Sequence, residues 1–197
     1  MNVNDNINME YEARVMINQE QYINLRSHYL SSGLVYEEIV NENYYFDTED
    51  LLLTNSHKVL RIRKINNEKY ELTLKIQESN GCIEINHTLT DKEKEQMMND
   101  GQISYKPIVD KLKEYGADLN SIKLITDLRT ERLEVKLNEG LLVIDKNYFR
   151  NRVDYNIEVE SDSEIHAKTL LLSIISPFGV EYKKDYINKA RRAIYNL

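Results

Sequence analysis

Three short stretches of this chain place charged side chains two residues apart, the spacing that brings neighbours onto one face of a β-strand. Glu10, Glu12 and Arg14 form the first, Arg61 and Arg63 the second, Glu158 and Glu160 the third. Carboxylates at i and i+2 of a strand lie roughly 7 Å apart, so they can grip a hard cation between them or from two sides. Arg at the same spacing offers fixed forks for phosphate oxygens. Divalent metal together with Arg and Lys around several phosphates is the electrostatic equipment of phosphoryl or nucleotidyl transfer. With one Cys and no His pair at ligand spacing, oxygen-only ligation points to Mg²⁺ or Mn²⁺ rather than zinc.

The elements that must position these residues follow from periodicity. Period-two alternation predicts eight strands, over roughly 9–17, 40–47, 59–65, 69–77, 81–89, 126–137, 141–148 and 154–160. Asn66-Asn67 and Asn138-Glu139-Gly140 read as tight turns. Each strand carries apolar residues on one face and charged or polar ones on the other. Glu71, Thr73 and Lys75 oppose Leu72, Leu74 and Ile76; Glu84 and Asn86 oppose Ile83 and Ile85; Arg132, Glu134 and Lys136 oppose Leu133, Val135 and Leu137; Asp145 opposes Ile144. Helical periodicity appears over 18–32, 90–100, 106–115, 162–176 and 185–195, with Thr90 and Glu93 at capping-box spacing.

Any one such strand reads as the solvated face of a sheet. Five amphipathic helices, however, must bury their apolar stripes, and the sheet's apolar face is their obvious partner. An eight-stranded sheet is long enough to curl and close on its charged side. The charges also segregate by strand, Arg61 with Arg63 and Glu158 with Glu160, where a solvated face would mix signs. The expected fold is therefore α+β: a closed eight-stranded antiparallel β-barrel, or tunnel, with helices packed outside.

Composition narrows the function classes. A net charge of −7, from 33 acidic against 26 basic residues, argues against a nucleic-acid partner. No apolar run approaches the ~20 residues of a membrane span, and nothing resembles a signal peptide, so a cytoplasmic protein is expected. Residues 1–8 read as a disordered tail and residues 9–197 as a single domain, monomeric or homodimeric. Cys82 reads as a small buried residue, the four His as surface or structural, and Tyr44, Tyr45 and Phe46 as packing between sheet and helices.

At Glu10-Tyr-Glu12-Ala-Arg14 the chain resembles the ExExK signature of the CYTH domain, the triphosphate tunnel metalloenzyme superfamily. The resemblance continues through Asn43-Tyr-Tyr-Phe-Asp47, Leu60-Arg-Ile-Arg63, Tyr70-Glu-Leu-Thr-Leu-Lys75, Thr130-Glu-Arg132, Leu142-Val-Ile-Asp145, Asp154-Tyr-Asn-Ile-Glu-Val-Glu160 and Asn188-Lys189-Ala-Arg-Arg192. It is most similar to the small stand-alone CYTH proteins of Gram-positive bacteria. It implies metal carboxylates at Glu10, Glu12, Glu158 and Glu160, with Asp145 a further ligand or water-positioner. It implies phosphate-binding cations at Arg14, Arg61, Arg63, Lys75, Arg132, Lys189 and Arg192, with Glu71 and Glu84 in support. Glu10, Glu12, Asp145 and Arg132 then stand nearest the chemistry. One Mg²⁺ or Mn²⁺ would bridge the phosphate oxygens and a second, more weakly bound, would activate water.

Two positions depart from the family pattern, Arg14 where Lys is usual and Asn188 where Ser is usual. The implied activity is a metal-dependent triphosphatase acting on tripolyphosphate or a small organic triphosphate. The alternatives are a class IV-type adenylate cyclase and a non-catalytic triphosphate- or polyphosphate-binding module.

Overall fold

The computed structural model describes residues 6–78, 81–183 and 187–197. In chain order the strands are β1 (Asn6–Ile17), β2 (Tyr36–Asp47), β3 (Lys58–Ile65), β4 (Lys69–Glu78), β5 (Gly81–Thr88), β6 (Lys123–Leu137), β7 (Gly140–Tyr148) and β8 (Val153–Ser161). The helices are α1 (Gln19–Leu30), α2 (Leu52–Asn55), α3 (Asp91–Asp100), α4 (Lys106–Glu114), α5 (Glu164–Ile175) and α6 (Lys189–Tyr195). The strands close into a barrel in the order β1-β5-β4-β3-β2-β6-β7-β8. This is the expected closed antiparallel tunnel of an α+β fold.

The chain divides into two compact units. The first comprises residues 1–9, 42–127 and 189–197, the second residues 10–41 and 128–188. In the first, the apolar face of β3, β4 and β5 (Leu60, Ile62, Leu72, Leu74, Ile76, Ile85) packs against Leu53 of α2, Met97 of α3, and Ile108 and Leu112 of α4. In the second, the apolar face of β1 and β6–β8 (Ala13, Val15, Leu133, Val135, Leu142, Ile144, Ile157, Val159) packs against Leu25 and Tyr29 of α1 and Ala167, Leu171 and Ile174 of α5. Within each unit the helices take the apolar face, which leaves the charged face to the barrel's inner side.

Local chemistry sets the boundaries. Asn66 and Asn67 both hold positive φ, 48° and 62°, at the centre of the turn between β3 and β4, which Glu68 N–H closes by donating to the Ile65 carbonyl at 2.9 Å. Thr90 and Glu93 form the expected capping box at α3, and Asn18 with Gln21 forms one at α1. Gly140 opens β7 where a Cβ would fall 2.4 Å from the Glu160 carbonyl oxygen, so only glycine lets β7 and β8 approach there.

Several expectations need amending. β1 begins at Asn6, while residues 1–5 of the expected tail lie outside the described residues. The C-terminal helix expected from Asp185 starts at Lys189, and residues 184–186, Lys184 among them, also lie outside. The single turn α2 was not expected. Tyr44 and Phe46 join the apolar cluster of their unit, but Tyr45 is buried outside both clusters because alternation turns it to the face of Asn41 and Asn43. Cys82 is only half-buried, paired with Gln77 at the end of the β4–β5 hairpin where the chain reverses.

Candidate functional site: the charged face of the barrel

In the second unit the β1–β8 register sets Glu12 directly across from Glu160, and Arg14 across from Glu158. Side chains so opposed have Cβ atoms about 5 Å apart, and like charges there are destabilising. A cation offsets that repulsion, and Arg14 lies against the Glu12 side of the pair. Arg14 Nη1 donates to Glu158 Oε1 at 3.2 Å and lies 3.7 Å from Glu12 Oε1. Glu10 is half-buried two residues before Glu12.

Arg132 meets Asp145 across the β6–β7 pair. Its Nε and Nη2 donate to Asp145 Oδ1 and Oδ2, each at 2.9 Å, a two-pronged clamp on a carboxylate that is 0% exposed. The same guanidinium lies 3.4 Å from Glu134 and 3.7 Å from Glu158. Burial alone would lower the Arg132 pKa. The charge and hydrogen bonds of Asp145, with Glu158 and Glu134 behind them, outweigh burial and hold it well above the ordinary value. Both oxygens of Asp145 are thus engaged by Arg132.

The first unit carries the basic strand pair. Arg63 Nε donates to Asn43 Oδ1 at 3.1 Å, and Lys75 forms an ion pair with Glu84, its cross-strand neighbour. Arg61 is different. It is 9% exposed, its Nε lacks a hydrogen-bond partner, and no hydrogen bond or ion pair joins it to any described residue. Thr73, directly across from Arg61 and fully buried, likewise has a hydroxyl with no partner. Glu71 stands across from Arg63 and 4.0 Å from Lys69. On α6, Arg192 is buried and Lys189 half-buried.

The face is therefore not a solvated one. Among the described residues, no three His, Cys, Asp or Glu side chains are gathered as a ready-made metal cage. The donor chemistry nevertheless fits a hard divalent cation. Glu12 and Glu160 are opposed carboxylates on neighbouring strands, Glu10 and Glu158 stand two residues from them, and every donor is oxygen.

The CYTH domain profile matches residues 8–192. The chain belongs to the CYTH domain family. It is 27% identical over 177 residues, 89% of this chain and 90% of the relative, to YjbK of Bacillus subtilis strain 168, named as a candidate triphosphatase. A candidate adenylate cyclase from Bacillus halodurans has a solved structure that superposes with a TM-score of 0.86 at 27% identity, covering 94% of this chain and 97% of that one. The structure of HpAC1 from Hippeastrum, a candidate adenylyl cyclase described as having a dominant triphosphatase activity, superposes at 0.79 with 20% identity, covering 95% and 96%.

What charge alternation alone passes over in this CYTH domain is the uncharged polar row beside the charges. Asn43, Thr130, Asn147 and Asn156 lie on the charged face with Asn86, which alternation does place there, and Asn43, Thr130, Asn147 and Asn156 are buried. The signal was available, because Asn86 follows Glu84, Asn147 follows Asp145, and Thr130 and Asn156 precede Arg132 and Glu158, each by two residues.

Proposed function

We propose that this CYTH protein is a divalent-metal-dependent triphosphatase that hydrolyses tripolyphosphate or a small organic triphosphate. The observation that carries the reading is Arg61, a buried guanidinium whose Nε lacks a partner and that no described residue pairs with. An uncompensated buried cation is costly unless a ligand anion completes it. Arg63, Lys75, Lys189 and Arg192 in the same unit add to the charge a polyphosphate demands. Similarity to the candidate triphosphatase YjbK supports the same reading.

Glu10, Glu12, Glu158 and Glu160 would hold Mg²⁺ or Mn²⁺. When bound, the metal supplies charge neutralisation on phosphate oxygens and a lowered pKa for water. In hydrolysis, water oxygen bonds to the terminal phosphorus and gives up a proton to solvent, the P–O bond to the bridging oxygen breaks, and the shortened phosphate leaves with the electron pair. The cations bind and orient the chain and spread its developing charge. Asp145 holds the Arg132 fork in one orientation for that work, which assigns it a positioning part rather than a direct metal contact.

The test is to incubate the protein with tripolyphosphate, thiamine triphosphate and ATP, each with Mg²⁺ or Mn²⁺. Phosphate release from tripolyphosphate or thiamine triphosphate is expected; cyclic AMP and pyrophosphate from ATP would instead establish the cyclase reading, which similarity to the Bacillus halodurans protein favours. Glu10→Gln and Glu158→Gln should abolish metal-dependent turnover with the fold intact, and undiminished turnover would remove the metal assignment.

A further inference from the structure

A buried row of amides ends on Glu158, and its hydrogen bonds run in one direction. Thr130 Oγ1 donates to Asn147 Oδ1 at 2.9 Å. With its oxygen taken, Asn147 turns its amide nitrogen the other way, donating to Asp154 Oδ1 at 3.0 Å and to Asn156 Oδ1 at 2.7 Å. Asn156, its oxygen now also taken, donates from Nδ2 to Glu158 Oε1 at 3.2 Å. Thr130, Asn147 and Asn156 are each no more than 2% exposed.

An isolated Asn can present either its oxygen or its nitrogen to a neighbour, and which it presents is decided by the network around it. Here the Asp154 carboxylate, an acceptor, fixes Asn147 with its nitrogen outward, the Thr130 hydroxyl satisfies the oxygen so placed, and Asn147 fixes Asn156. The end facing Glu158 is consequently always an N–H. Arg14 Nη1 donates to the same Oε1 at 3.2 Å. Two donors on one oxygen set the rotation of the carboxylate. A metal-binding carboxylate needs its orientation set before the ion arrives. A core filled for stability alone would put apolar side chains at these fully enclosed positions, since buried amides contribute little net stability even when satisfied.

We propose that Asn156 and Asn147, with Thr130 at the head of the row, are positioning residues that preset Glu158 for a divalent cation. This rests on the reading of Glu158 as a metal ligand. Outer partners of metal-binding groups commonly contribute ten- to hundredfold in metal affinity.

The experiment measures Mn²⁺ binding to the substrate-free protein by calorimetry or by loss of the free-ion paramagnetic resonance signal, alongside the thermal unfolding temperature. Asn156→Leu removes the N–H at similar volume and should weaken Mn²⁺ binding ten- to hundredfold. Thr130→Val should weaken it severalfold, whereas Thr130→Ser, which keeps the hydroxyl, should bind as the parent does. A purely structural role would lower the unfolding temperature and leave Mn²⁺ affinity unchanged, and that result in folded Asn156→Leu overturns the inference. If Asn156→Leu does not fold, the Thr130 pair decides, with equal affinity in Val and Ser variants as the overturning result. Glu158→Gln separates the two levels. Weakened Mn²⁺ binding in Glu158→Gln beside parental binding in the row variants sinks this inference alone. Parental binding in Glu158→Gln sinks the metal reading and the inference with it.

Discussion

Arg61 and Arg132 are both buried guanidiniums, and they meet burial in opposite ways. Arg132 is neutralised within the protein by the two-pronged contact with Asp145, whereas Arg61 has no such partner among the described residues. Truncating one member of a buried pair leaves the other charge stranded. Asp145→Asn should therefore cost about 3–5 kcal/mol in urea denaturation. Arg61→Leu should cost nothing and can stabilise, because it removes a buried charge that the folded chain leaves unmatched. The same variant should raise the KM for tripolyphosphate roughly ten- to hundredfold, the equivalent of about 1.5–3 kcal/mol for charged hydrogen bonds. A strongly destabilised Arg61→Leu with unchanged KM would make Arg61 a structural residue. Which residues are charged and share a face was legible from alternation alone. That Arg14 leans on Glu158 depends on strand register between segments 144 residues apart, and that Arg132 occupies both oxygens of Asp145 and that amides continue the row depend on the register of β6 on β7 and β7 on β8. Alternation within one strand says nothing about that register.

At the scale of elements, α3 is fastened to the sheet through one carboxylate. Glu93 accepts from the Thr90 backbone N–H at 2.9 Å, the Thr90 hydroxyl at 2.7 Å and the Ser104 hydroxyl at 2.9 Å. His87 of β5 reaches it at 3.2 Å while stacking on Tyr105. Burial alone would raise the Glu93 pKa, but these hydrogen bonds outweigh it and bring it from 4.5 to about 2. The folded state thus holds its proton less tightly than the unfolded chain. The contribution is fully present above pH 4.5 and is lost as pH falls toward 2. Urea midpoints measured between pH 5 and pH 2.5 should fall more steeply for the parent than for Glu93→Gln, which keeps the capping geometry without the titration. Parallel curves would show that the carboxylate contributes nothing through ionisation. This cap was legible because both partners lie within four residues of sequence. The single turn α2 was not, since its first backbone N–H, on Leu52, donates to Thr48 Oγ1 at 3.0 Å and the next two, on Leu53 and Thr54, donate to Asp47 at 2.9 Å each. Leu-Leu-Thr-Asn is too short to show a helical period.

For the molecule as a whole, a net charge of −7 opposes the approach of a polyanion, so affinity must come from local cations rather than from the overall field. Screening acts differently on the two. Exposed acidic groups lose influence beyond about 8 Å at physiological salt, while buried cations such as Arg61 are screened far less. A ligand that binds only the folded chain must stabilise it. With metal chelated so that no turnover occurs, tripolyphosphate at a hundred times its Kd should add about 2.7 kcal/mol. For a chain of 197 residues that corresponds to roughly 5–10 °C in Tm. Monophosphate at the same concentration should give a far smaller shift, since it can engage only a fraction of the cations. Arg61→Leu should lose most of the tripolyphosphate shift while unfolding at or above the parent temperature on its own. Equal shifts from monophosphate and tripolyphosphate, or a full shift in Arg61→Leu, would mean that the cations of the barrel face do not act together on a phosphate chain.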